Sequence, residues 1–344
     1  MTCKKNHKFV AILFLFTFLF FFFSFTDQDY IIVKDMIGND IKIKKEIKSV
    51  ITLDPFSTQI MISLSLTDLV VDAQYGTNLI GKGFERVAPQ YKNWGSSFSG
   101  NNLIFENIAA KKPDLIISQI GRGGLDKLKE MGFSVFIVDV ETPSNFLKSV
   151  QEVATLFGKQ KEAKEINALV EEDLNSFEGT KETFSAKIYP EKPKIYIAGS
   201  NILRTFGKSS IQSYLIGLSG GKSVADTYNQ TKVDINPETL IGMNPDIILL
   251  SSYTAEKKEQ ILQDSRFSSI NAVKNRQIYT IPSFIVSWDL PSFEIVGGIC
   301  FIRNIISKNI YLDTYIVLLQ KLYSKVYTLN LSKDEISSLL LVAK

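Results

Sequence analysis

Histidine is almost missing from this chain. The sole one among 344 residues is His7, inside an apolar N-terminal stretch. The remainder therefore carries no Ser-His-Asp or Cys-His catalytic set, and no zinc or haem held through imidazole. Cysteine is nearly as scarce, with two residues. Cys3 precedes the apolar stretch, whereas a lipoprotein cysteine would follow it. Cys300 sits in an apolar, helix-patterned segment and reads as core. No disulfide framework exists, and an exported domain of this size does not require one. Excess charge is lacking as well. Three of the 39 basic residues and none of the 36 acidic ones fall within the first 26 positions, so the rest is electrically balanced. No basic field for nucleic acid remains. Two triplets, Gly207-Lys208-Ser209 and Gly221-Lys222-Ser223, resemble the end of a P-loop. That loop needs a Gly five positions before its second Gly, and Ile202 and Ile216 stand there.

What is present begins with an export pattern. Lys4, Lys5 and Lys8 lead into an apolar run from Phe9 to Phe25, broken only by Thr17 and Ser24. A positive region followed by a hydrophobic one is the pattern of a secretion signal. At 17 residues the run also reaches the lower limit for a membrane span. Residues 1–26 are expected to be a signal peptide or an uncleaved signal anchor.

A nine-residue span occurs twice beyond that. Glu106 is followed by six residues, Pro113-Asp114 and the apolar run Leu115-Ile116-Ile117. Glu238 is followed by six residues, Pro245-Asp246 and Ile247-Ile248-Leu249-Leu250. In each copy an acid opens a short helix, where the macrodipole favours it. Pro ends the helix, and a strand buried on both faces follows. Copies about 130 residues apart predict two similar α/β lobes rather than a solenoid, whose period is about 20–50. Strand and helix patterns alternate from Ser49 to Val140 and again from Lys194 to Ile281. Between them, Phe146, Val150, Val153 and Leu156 mark one helix. Ile166, Leu169, Val170, Leu174 and Phe177 mark a longer one over 160–185, which is expected to connect the lobes. The divisions expected are 27–143, 144–190 and 191–344.

In open α/β sheets, ligands bind outside the carboxyl ends of the strands. The candidates there are Arg122, Arg204, Tyr253 and Trp288, joined by Arg86 and Trp94 from an irregular stretch over 74–102. Arg offers a flat fork of donors suited to carboxylates and other oxyanions. Glu106 and Glu238 admit two readings: acids that stabilise helix starts, or a matched pair of surface acids that dock a partner.

The chain is similar to the periplasmic substrate-binding proteins of the iron-siderophore, haem and cobalamin class of ABC importers. The likeness rests on the two Glu-x6-Pro-Asp spans, on Leu218-Ser-Gly-Gly-Lys-Ser-Val-Ala-Asp226, on Phe267-Ser-Ser-Ile-Asn-Ala-Val-Lys-Asn-Arg-Gln-Ile-Tyr279 and on Trp288-Asp-Leu-Pro-Ser-Phe-Glu294. It covers about residues 30–340. The resemblance implies a class III arrangement, two Rossmann-like lobes joined by one long helix with little hinge motion. It implies a non-enzymatic protein outside the cytoplasmic membrane, monomeric, that delivers a small-molecule metal chelate to a permease and its ATPase. It also implies that Glu106 and Glu238 meet Arg residues of that permease. No cofactor or resident metal is expected. The ligand expected is an iron chelate, most of all a ferric siderophore; haem or cobalamin on the same scaffold, or an exported sensor or enzyme, are the alternatives. Scarcity of His argues against the manganese and zinc relatives.

Overall fold

The computed structural model describes residues 29–74, 81–188 and 191–341. Residues 1–26, the expected signal peptide or anchor, lie outside them, and no helix among the described residues is long and apolar enough to cross a membrane.

Two four-stranded parallel sheets form the framework. The first runs in the order Val70–Ala73, Val50–Thr52, Leu115–Gln119, Val135–Val138. The second runs Lys222–Ser223, Lys194–Ala198, Ile247–Leu250, Ile278–Thr280. Numbered within its lobe, each sheet reads 2-1-3-4. The second triplet checked for a P-loop thus supplies the edge strand Lys222–Ser223.

Alternation along the strands explains why both faces are apolar. Val50, Leu115 and Ile117 point into a core that continues across both lobes through Ile195, Leu249 and Ile299. Ile51 and Ile116 point outward, under a separate cluster closed by Ile108 of the first repeat helix. Ile248 and Leu250 do the same under Leu240 of the second. The two inner faces therefore share one core, and each repeat helix covers an outer face.

The repeat itself is duplicated to the level of backbone. Helices Phe105–Lys111 and Pro237–Met243 end at left-handed residues, Lys112 with φ 47° and Asn244 with φ 43°. Pro follows each and prevents continuation. The Pro-Asp carboxylate then ties down the start of the neighbouring strand. Asp114 accepts from the Lys48 and Ser49 amides at 2.8 and 3.0 Å. Asp246 accepts from the Lys194 amide at 2.9 Å.

Helix Pro143–Leu156 ends before Gly158, whose φ is 67°. Helix Gln160–Ala186 then crosses to the second lobe, its 27 residues spanning about 40 Å. It buries Ala163, Ile166, Val170, Leu174 and Phe177 along one stripe. Arg303, 4% exposed, fastens it to the second lobe. Its guanidinium lies 4.7 and 4.6 Å from the Phe177 and Phe184 rings and donates to the Phe177 and Leu218 carbonyls, both at 2.8 Å. Burial lowers its pKa, and two carbonyl dipoles, that of Leu218 at a helix end, stand in for a carboxylate. Three helices, Ile295–Ile306, Leu312–Tyr327 and Lys333–Leu340, complete the chain; the last carries a Ser332–Glu335 capping box.

One helix is shorter than its pattern. Apolar spacing predicts Phe56 to Leu66, and the helix spans Pro55–Ser63. Ser65 turns left-handed at φ 57°, so Leu66 continues the apolar pattern without continuing the helix.

Candidate ligand-binding site

The carboxyl edges of the two sheets are brought together. The irregular stretch after Val70–Ala73 meets the loop after Ile278–Thr280. Across this seam the Gly81 and Gly83 amides donate to the Ile285 and Phe284 carbonyls at 3.1 and 2.7 Å. A Cβ on Gly81 would lie 2.2 Å from the Phe284 carbonyl oxygen, and one on Gly83 would lie 2.3 Å from its ring. Only glycine permits that approach.

Arg122 stands just past the third strand of the first lobe, half-buried. Its Nη2 donates to the Asn101 carbonyl at 3.1 Å, while its buried Nε has no hydrogen-bond partner. Asp54 is the nearby counter-charge. Burial pushes the Asp54 carboxyl up, against the opposing amides of Ser57 and Gln119 and the Arg122 charge. Those amides donate at 2.8 and 2.7 Å. Asp54 thus caps helix Pro55–Ser63 and holds the end of the third strand at the same time. Burial in turn lowers Arg122, with Asp54 opposing; the guanidinium remains a cation.

The second lobe repeats the plan with other groups. Tyr253 follows its third strand, and the carboxylate there is Asp289. Ser251 Oγ donates to Asp289, and Ser287 Oγ does so at 2.5 Å. Burial raises the Asp289 carboxyl against these two hydroxyls. Burial first, then the Asp289 charge, pushes the Tyr253 phenol well above its ordinary range, so it stays a neutral donor. Each lobe therefore places one buried carboxylate beside the end of its third strand. In the first lobe it faces an arginine, in the second a tyrosine.

The other candidates lie elsewhere. Trp94 is a core residue, 6% exposed, with Nε1 donating to the Val70 carbonyl at 3.0 Å and its ring edge-on to Phe84. Trp288 has no exposed surface. Its Nε1 reaches Glu294 Oε1 and the Tyr323 hydroxyl, each at 3.2 Å, and Gly297 and Gly298 leave room for it. Both indoles find their partners inside, and neither offers a face to a cleft. Arg86 is exposed and pairs with Glu335 at 2.5 Å. Arg204 pairs with Asp234 at 3.4 Å across a short antiparallel strand pair. Of the three candidate arginines, Arg122 alone has no ion-pair partner within 4.0 Å among the described residues. Asp54, Asp289 and Ser251 escaped the sequence reading. Asp54-Pro55 reads as a turn after an apolar run, but the bond of Asp54 to Gln119, 65 positions on, has no local signal.

Glu106 and Glu238 are exposed in the first turns of the repeat helices. Each helix runs back along its sheet, so both acids sit on the carboxyl-edge side, the side of Arg122 and Tyr253. Neither forms an ion pair among the described residues.

A family model described as periplasmic binding protein matches residues 50–284. An uncharacterized ABC transporter substrate-binding lipoprotein of Bacillus subtilis, YvrC, is 24% identical over 290 residues, covering 82% of this chain and 86% of that protein. The crystal structure of a periplasmic solute binding protein from Veillonella parvula superposes with a TM-score of 0.74 at 26% identity, covering 90% of this chain and 97% of the other. The Haemophilus influenzae molybdate binding protein MolA, solved with molybdate bound, gives 0.76 at 17% identity over 88% and 99%. The fold is the class III arrangement of two α/β lobes on one long helix.

Proposed function

The chain belongs to the periplasmic binding protein family, and from that premise we propose that it is the extracytoplasmic substrate-binding subunit of an ABC importer. Its ligand is an anionic, oxygen-rich metal chelate, with a ferric siderophore as the first choice. The chelate lies between the two carboxyl edges, against Arg122 on one side and Tyr253 on the other.

The observation that carries this reading is Arg122. It is half-buried, offset only by an acid whose own pKa burial has raised, and its Nε has no partner. A donor in that state is satisfied by a ligand oxygen, and a charge-assisted bond of this kind contributes about 1.5–3 kcal/mol. Tyr253 adds a neutral hydroxyl donor from the opposite lobe. Exposed Glu106 and Glu238 dock the loaded protein on the permease, and residues 1–26 direct export.

Native mass spectrometry of protein recovered from its own growth medium identifies the bound species. Calorimetry with ferric hydroxamates and catecholates then follows. Arg122→Ala is expected to weaken binding by about 1.5–3 kcal/mol, whereas Arg204→Ala, already paired with Asp234, changes it by less than about 1 kcal/mol. Tight binding of a cationic ligand, or an Arg122→Ala variant with unchanged affinity, would contradict the assignment. Haem or cobalamin in the recovered protein would move the ligand to that part of the family.

A further inference from the structure

A second concavity, of about 620 Å³, opens on the second lobe. Asn275, Arg276 and Gln277 line it just ahead of strand Ile278–Thr280, and Lys258, Glu259 and Tyr279 line it beside that strand, so it runs along the outer side of the sheet. Its volume is that of a small-molecule site. Three cations line it, Lys258, Arg276 and Lys308, against one acid, Glu259. None of the three pairs with a carboxylate among the described residues; the Lys258 ammonium rests 5.7 Å from the Tyr279 ring centroid.

Asn304 supplies a second, independent observation. This lining residue is fully buried. Its Nδ2 donates to Asn309 Oδ1 at 2.8 Å and to the Leu340 carbonyl at 3.1 Å. Two acceptors on one side fix which end of the amide is nitrogen. The Oδ1 is left buried with no donor, a costly state for a polar atom. The cavity thus offers positive charge along its wall, and one of its lining residues holds a buried acceptor that lacks a donor.

We propose that this cavity binds a small hydroxylated polyanion of the hydroxypolycarboxylate class. Carboxylates meet Lys258, Arg276 and Lys308, and the ligand's hydroxyl donates to Asn304 Oδ1. Neither Arg122 nor Tyr253 lines this cavity, so the protein carries two anions at separate sites.

Calorimetry on the full chain in iron-free buffer tests this with two probes. Citrate has the hydroxyl; tricarballylate has the same three carboxylates without it. Citrate is expected to bind one site, and tricarballylate about tenfold more weakly. Arg276→Gln together with Lys308→Gln, both exposed positions that do not threaten folding, weakens citrate at least about tenfold. Arg122→Ala leaves it unchanged. No citrate binding at millimolar concentration would overturn the proposal. So would citrate binding that Arg122→Ala abolishes and the double variant keeps, since the anion would then occupy the cleft. Equal affinity for the two probes would overturn the role given to Asn304.

Discussion

The two lobes share a strand order, a repeat helix, a left-handed cap and a carboxylate clamp, yet they differ wherever a side chain leaves that framework. In the first lobe the outer edge of the sheet is covered, with the Met36 amide bonded to the Ile137 carbonyl at 3.1 Å. In the second, the edge strand Ile278–Thr280 borders open cavities. At the third strand's end one lobe presents a guanidinium beside its buried acid and the other a phenol. The difference teaches that backbone-to-carboxylate ties are what the duplication repeats, while the loops at strand ends diverge, as loops that carry function do.

The largest test of that comparison concerns the two tryptophans. Trp288, with no exposed surface and both lobes packed around its loop, should cost about 3–5 kcal/mol when changed to Ala. Trp94, packed against Phe84 within one lobe, should cost less. Melting curves of the two variants decide; equal losses would remove the distinction between a residue at the seam and one in a single lobe.

A smaller effect separates the lobes by pH. Glu294 is fully buried and accepts from the Ile285 and Val286 amides, Trp288 and Tyr323. Burial pushes it up to about 7, against the hydrogen bond from Tyr323 and these other donors. The folded state therefore holds the proton more tightly than the unfolded one. Its stabilisation is fully present below about 4.5 and is lost as pH rises through about 7. Melting temperature should fall over that window, and Glu294→Gln should flatten the slope. An unchanged slope would show that another group titrates there.

The smallest effect lies at the repeat helices. Asn236 caps the second, accepting from the Thr239 amide at 2.8 Å, whereas Ile104 leaves the first uncapped. Asn236→Ala should cost about 1 kcal/mol, and Ile104→Asn should stabilise the first lobe by a similar amount. Denaturant midpoints of the two variants should move in opposite directions.

Much of the framework was legible because it is periodic. Continuous apolar runs located the strands, and a stripe over 160–185 located the connector within a residue or two. The spacing of Glu, Pro and Asp located both repeats. The site was legible only in part, because its state depends on partners remote in sequence. Glu335 lies 249 positions from Arg86, and no local pattern says that it neutralises that arginine. Trp94 and Trp288 looked like cleft aromatics because loops surround them in sequence; burial was decided by what packs over those loops. Arg122 differs from Arg86 and Arg204 because no carboxylate among the described residues arrives within ion-pair distance of it, a matter of the fold rather than of local sequence.

Glu106 and Glu238 test the account most directly, since it holds that two matched lobes give two matched handles to one permease. Helix-start acids contribute about 0.3–1 kcal/mol to stability, and exposed pairs across an interface fix orientation more than they add affinity. The measurement is uptake of the identified ligand by cells carrying Glu106→Ala with Glu238→Ala, alongside ligand affinity and melting of the same protein. The account predicts affinity within about twofold, nearly unchanged melting and a sharp fall in uptake, deeper still when both acids become Lys. Normal uptake by the double variant would contradict it and leave both residues as acids that stabilise helix starts.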